Sequence, residues 1–216
     1  MTASVPVAKI KFPKFSGVRC LMMPYIQGVV DSVPAIYHAY SDIISNIVVR
    51  RGDIGFLTID ESTARSGRPH RGDRAKFGRA LHTEGGIVHD AVRGCDVVAW
   101  GGGGTIRWGG GEGVRLEPDV EILLANNIDG TCAIWDTEHY NTSADGDIGD
   151  AAGLYPYDDA VMMKAGDVHK IGVFTPHESL PVSTDVRRQF LRIVSSGVYG
   201  REPYFTKNPL MLDFAC

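Results

Sequence analysis

Gly166-Asp167-Val168-His169-Lys170-Ile171-Gly172-Val173-Phe174-Thr175-Pro176-His177-Glu178-Ser179-Leu180-Pro181 reads as a strand that Gly-Asp opens and His177 closes. A run of Val, Ile and Phe bounded by Gly and Pro, too short for a buried helix, is the local signature of β structure. The rest of the chain keeps this rhythm, with 26 Gly and 11 Pro between runs rich in Val, Ile, Phe and Trp. Strands are expected at 54–59, 80–84, 96–100, 105–108, 121–125, 131–135, 160–163, 168–174 and 189–194. Strands this short and this numerous suit an all-β jelly roll, in which two sheets close on each other and a site opens at one mouth. A single flanking helix is expected near the start, where Pro34 follows Ser32-Val33 and Ile36, Tyr40, Ile43, Ile44 and Ile47 recur at helical spacing. Its apolar stripe should pack on the outside of a sheet.

The 216 residues are 44% hydrophobic, enough to bury a full core, and the size favours one domain over 1–216 with a helical and strand extension over about 1–60. The net charge is −4 and the pI near 6.0, with no block of Lys and Arg long enough to track a phosphate backbone, so nucleic acid is not an expected partner. Residues 1–15 lack the continuous apolar stretch of a signal peptide, and no later run is long enough to span a bilayer. The expected location is the cytoplasm, without a membrane partner. Cys20, Cys95, Cys132 and Cys216 are scattered, with no Cys-x-x-Cys pair, and read as free thiols in that compartment.

Leu81-His82-Thr83-Glu84-Gly85 places an imidazole and a carboxylate two apart at the end of an expected strand, where side chains at i and i+2 share a face. These are two of the ligand types that a facial triad of two histidines and one carboxylate uses to hold non-haem Fe(II). His-x-Glu by itself is a common triplet, and the plain alternative is a surface histidine beside a solvated glutamate. His177 ends the stretch quoted above, and Arg188 and Arg192 follow it by eleven and fifteen positions. In Arg188-Gln189-Phe190-Leu191-Arg192-Ile193-Val194 the alternation puts both guanidinium groups on one face. If that face is inward, the two cations need anions, because a buried unpaired guanidinium is costly. Arginine's planar fork suits a carboxylate. Alternation leaves the opposite arrangement open, with the arginines in water and Leu191 and Ile193 inward.

His82-x-Glu84, the distal His177 and the Arg188/Arg192 pair together resemble the iron- and 2-oxoglutarate-dependent dioxygenase superfamily. The His-Thr-Glu triplet is similar to that of clavaminate synthase and related amino-acid hydroxylases, and the arginine spacing after the distal histidine resembles taurine dioxygenase. The order of motifs covers 81–194, with continuous similarity over 177–194. The resemblance implies a double-stranded β-helix, the cupin-like jelly roll. It implies Fe(II) held by His82, Glu84 and His177, the distal carboxylate of 2-oxoglutarate on Arg188, and Arg192 near the co-substrate or an anionic substrate. It further implies O2 as a reactant and oxidation, in the first place hydroxylation, of a small molecule. The chain departs from the family in its shorter length and in having Glu where Asp is usual. The Gly- and Trp-rich stretch 100–113 matches nothing in the superfamily.

Arg68, His70 and Arg71, in Ser66-Gly67-Arg68-Pro69-His70-Arg71-Gly72-Asp73, form a cationic loop that would attract an anionic group on a substrate, or else a solvated charged loop. Trp108 joins them as a candidate substrate contact. The glycines at 101–104 are not followed by Gly-Lys-Ser/Thr and do not make a phosphate loop. Asp136 and His139 could hold a second cation, although a Trp-Asp at a strand end is more often core and turn. Two other classes fit the pattern. One is a cupin-type metalloenzyme that needs no 2-oxoglutarate, and the other is a metal-free jelly-roll binding module.

Overall fold

In the computed structural model, which describes residues 6–69, 78–90, 95–100, 120–143, 146–196 and 205–211, the runs between Gly and Pro become strands. The expected strand at 105–108 and the candidates His70, Arg71 and Trp108 lie outside the described residues. In chain order the strands are β1 (Ala8–Lys9), β2 (Arg19–Ile26), β3 (Ile54–Ala64), β4 (Leu81–His82), β5 (Gly85–Asp90), β6 (Cys95–Trp100), β7 (Val120–Asn126), β8 (Cys132–Ile134), β9 (Val161–Met162), β10 (Asp167–Ile171), β11 (His177–Ser179) and β12 (Val186–Ser196). A six-stranded sheet has the order β1-β10-β7-β12-β3-β2, a four-stranded sheet has the order β4-β11-β8-β9, and β5 and β6 form a hairpin. Every ladder within these sheets is antiparallel. The fold is therefore all-β with little helix, and no helix among the described residues is long and apolar enough to cross a membrane.

The central strands are buried on both faces, which is why β7 and the first half of β3, up to Ile59, read as largely apolar runs rather than as a polar-apolar alternation. On one face Leu57, Ile59, Leu123, Leu191 and Ile193 pack against Tyr37, Tyr40, Ile43 and Ile44. On the other, Phe56, Ile122, Leu124 and Val194 meet Cys132, Ile134 and Phe174 from the side of the smaller sheet. Leu81, Ala133, Trp135, Ile148 and Tyr155 form a third cluster.

The flanking helix differs from its expected form. It is a 3-10 segment, Ala35–Tyr40, followed by one short α-helix, α1 (Ser41–Asn46). Three residues per turn bring Tyr37, Tyr40 and Ile43 into line against the sheet and turn Ile36, 65% exposed, away from it. A 3.6-residue phase had placed Ile36 in the stripe. The second difference concerns 166–181: β10 stops at Ile171, a turn from Gly172 to Thr175 follows, and His177 opens a strand of the other sheet rather than closing the first. Glycine at 172 and proline at 176 break the ladder at each side of that turn. β2 was not among the expected strands; it contains Pro24, and as the edge of its sheet it tolerates a residue without N–H.

One buried carboxylate ties the N-terminal segment to this sheet. Glu61 Oε2 accepts from Ser16 N at 2.6 Å, from Gly17 N, and from Val18 N at 3.2 Å, while Oε1 accepts from Tyr40 Oη at 2.7 Å and Gln189 Nε2 at 2.8 Å. Burial pushes its pKa up, but the hydrogen bonds from Tyr40, Ser16, Gln189 and Gly17 outweigh burial and leave it below the ordinary glutamate value. A lowered folded-state pKa means that the stabilisation is present above the unfolded pKa and is lost as pH falls through the folded one. Glu61→Gln is expected to destabilise the protein by about 1.5–3 kcal/mol at neutral pH. Thermal melts across pH should show the gap to wild type closing on acidification; a gap independent of pH would contradict the ionised carboxylate.

Candidate metal centre

His82 and His177 are direct partners across the β4–β11 ladder, so their rings stand side by side with centroids 4.1 Å apart. Each ring is oriented by its own strand: Nδ1 of His82 donates to Ala80 O at 2.7 Å, and Nδ1 of His177 donates to Thr175 O at 2.9 Å. A carbonyl can only accept, so in the neutral imidazoles the proton is on Nδ1 and Nε2 carries the lone pair, the tautomer that a metal-binding histidine takes.

Glu84 lies past β4, at the corner before β5, where its N donates to Val173 O at 2.9 Å and Thr83 N donates to Gly146 O at 2.8 Å. Gly146 has a positive φ of 73°, and a Cβ there would overlap the Thr83 carbonyl, so this close approach requires glycine. Glu84 Oε1 is 3.4 Å from His177 Nε2, and Arg192 Nη1 donates to Glu84 Oε2 at 2.8 Å. One ligand atom from each of His82, Glu84 and His177 lies within 4.8 Å of the others, and all three residues are buried. Ligands about 2.1 Å from one ion and about 90° apart stand about 3 Å from each other; the 3.4 Å from Glu84 Oε1 to His177 Nε2 is close to that separation.

The short strands carrying these ligands are clamped from behind. Glu178, next to His177, accepts from Arg79 Nε at 2.9 Å and Nη2 at 2.7 Å and from Ala80 N at 3.1 Å. Arg79 also stacks over the Tyr157 ring at 4.5 Å. This joins the residues before β4 to β11 and holds the two imidazoles in register.

Arg188 and Arg192 both point between the sheets. His82, His177, Glu84 and both arginines line one cavity of about 460 Å³. Arg188 is only 3% exposed, lies over the Phe190 ring at 4.9 Å, and its Nε and Nη1 have no hydrogen-bond partner among the described residues. Burial lowers its pKa, against the nearby Cys132 and Asp60, which raise it. Arg192, by contrast, is committed through Nη1 to Glu84, and its Nε has no hydrogen-bond partner among the described residues.

The other candidates are placed elsewhere. Arg68 is exposed and does not line the cavity. Asp136 is exposed and His139 Nδ1 is 2.6 Å from Tyr155 Oη; neither belongs to the group of three with metal-ligand spacing found among the described residues, His82, Glu84 and His177. Cys20 and Cys132 are buried free thiols, and burial pushes each up to about 12. Sequence reasoning missed Thr58, Asp60 and Thr206 in the cavity wall. Thr58 and Asp60 had a signal, since they alternate in phase with Phe56 inside an apolar strand. Thr206, brought from a distant segment, had none. No protein-family model, curated protein or solved structure matches the chain.

Proposed function

We propose that the protein is an Fe(II)- and 2-oxoglutarate-dependent oxygenase that oxidises a small substrate within a double-stranded β-helix. The observation that carries this reading is the pairing, in one cavity, of a His-Glu-His set at metal-ligand spacing with a buried guanidinium whose Nε and Nη1 have no hydrogen-bond partner among the described residues. The fold reading is supported by four nested antiparallel pairs, β3 with β12, β4 with β11, β7 with β10 and β8 with β9. One long eight-stranded hairpin rolled into two sheets produces that nesting, with β5 and β6 as an added hairpin.

When bound, Fe(II) and 2-oxoglutarate supply the oxidising chemistry, with O2 reduced and the co-substrate converted to succinate and CO2. His82 and His177 bind the ion through Nε2, and Glu84 binds through Oε1. Arg192 holds Oε2, which orients the carboxylate and leaves one oxygen for the ion. Arg188 receives the far carboxylate of the co-substrate by a charge-assisted fork, and the surrounding Phe190, Leu124 and Cys132 exclude water from that contact.

Anaerobic addition of Fe(II) and 2-oxoglutarate is expected to produce a visible charge-transfer absorption that neither produces alone. Iron binding without that band would favour the cupin-type metalloenzyme. No metal binding at all would favour the ligand-binding jelly roll.

A further inference from the structure

The inner face of the large sheet carries a second polar row beside the metal ligands. Arg192 on β12 is registered opposite Thr58 on β3, and the next strand, β2, is bulged there. Cys20 pairs with Ile59 and Met23 with Leu57, so Leu21 and Met22 together oppose the single residue Thr58. Met22 holds a φ of 48°, a strained conformation for a residue with a side chain. Bulges of this kind next to cavities re-aim backbone and side chains.

The two amides of the bulge are not left to the ladder. Leu21 N donates to Thr206 Oγ1 at 2.9 Å, and Met22 N donates to Thr58 Oγ1 at 3.0 Å. Thr206 is brought there by a segment that crosses the free edge of β2: Thr206 N donates to Leu21 O at 2.8 Å, Phe205 enters the core between the sheets, and Asn208 Nδ2 donates to Pro24 O and Ser32 O, both at 2.7 Å. Each threonine hydroxyl is thus used as an acceptor. Neither donates to a protein group among the described residues, and both line the cavity. A hydroxyl that already accepts has its proton to give.

Charge narrows what would receive those protons. In the same wall Arg19 Nε is 2.8 Å from Asp60 Oδ1, and Arg192 is matched by Glu84, so both arginines are balanced. With a divalent ion and Arg188 set against a doubly negative co-substrate, one positive charge is left over. A substrate with a single negative charge fits that remainder.

We infer that Thr58 and Thr206 form a substrate subsite in which two hydroxyls, presented by the β2 bulge, donate to the carboxylate of a small monoanionic substrate. The inference rests on the oxygenase reading and adds to it the substrate's class and the residues that hold it. The test uses 15N-labelled full-length protein loaded with Zn(II) and 2-oxoglutarate, titrated with propionate and, as a neutral control, propionamide. Saturable shifts at the Leu21 and Met22 amides are expected with propionate and not with propionamide. Thr206→Val and Thr58→Val should each weaken propionate by about tenfold, the effect of losing one hydrogen bond to a charged group, and Thr206→Ser should restore it. Should Thr58→Val not fold, the Thr206 pair of variants decides the matter. Equal binding of propionamide, or unchanged propionate affinity in Thr206→Val, overturns the inference. Protein that takes up metal and co-substrate yet ignores propionate sinks the subsite only; protein that takes up neither overturns the oxygenase reading and the subsite with it.

Discussion

Arg188→Met is expected to melt at a higher temperature than wild type in the absence of ligands and to bind 2-oxoglutarate ten- to a hundredfold more weakly. The opposite signs come from one fact: the guanidinium is buried, and its Nε and Nη1 have no hydrogen-bond partner among the described residues. An unmatched buried polar group costs about 1–3 kcal/mol, and methionine retains much of the aliphatic stem that packs on Phe190 while removing the charge. For a chain of this length 1 kcal/mol moves the melting temperature by about 2–4 °C. The same group, once a carboxylate meets it, makes a charge-assisted fork worth about 1.5–3 kcal/mol, which sets the loss of affinity. Calorimetric melts and co-substrate titrations on the same preparation read both effects. A variant that is less stable and keeps its co-substrate affinity would mean that Arg188 is a structural cation.

His177→Ala is expected to remove metal binding with little change in the metal-free fold. The imidazole is one of three donors, and its loss leaves Glu84 and His82 without the third corner of the site. Loss of an outer partner of a metal ligand costs about 10–100-fold in affinity, and loss of the ligand itself should exceed that. The strand should persist, because Glu178 stays clamped by Arg79 and Ala80 N and the β11 ladders to β4 and β8 are made by backbone. In wild type a divalent ion at about a hundred times its dissociation constant should raise stability by about 2.7 kcal/mol, and in the variant that rise should vanish. A variant that metal stabilises as much as it does wild type would remove His177 from the ligand set.

Apolar runs between Gly and Pro marked where strands lie but not where they end: the expected strands at 54–59, 121–125 and 189–194 fall within β3, β7 and β12. β4, two residues long, lies inside the expected strand at 80–84, and β11, three residues long, was expected only as the end of the strand before it; both are too short to have a period of their own and are held by the neighbours that pair with them. They carry His82 and His177, and His177 was assigned to the end of the wrong strand. The helix phase failed for a related reason: a six-residue 3-10 segment followed by a six-residue helix is shaped by the sheet beneath it more than by its own propensity.

β12 marks the boundary most clearly. Period-two alternation is a property of the extended backbone, so it was certain from the order of residues that Arg188 and Arg192 share a side and that Leu191 and Ile193 share the other. Which side meets water could not follow from that order, and the choice itself turned out to be false, since both sides are buried. Leu191 and Ile193 face the layer built by Tyr37, Tyr40, Ile43 and Ile44, while the arginines face the cavity. Partners supplied from more than a hundred positions away decide such questions: Glu84 takes one guanidinium and leaves the other unmatched, and Thr206 is carried to a wall it does not adjoin in the chain. Local chemistry sets which side chains are available, and contacts made at long range set which of them meet.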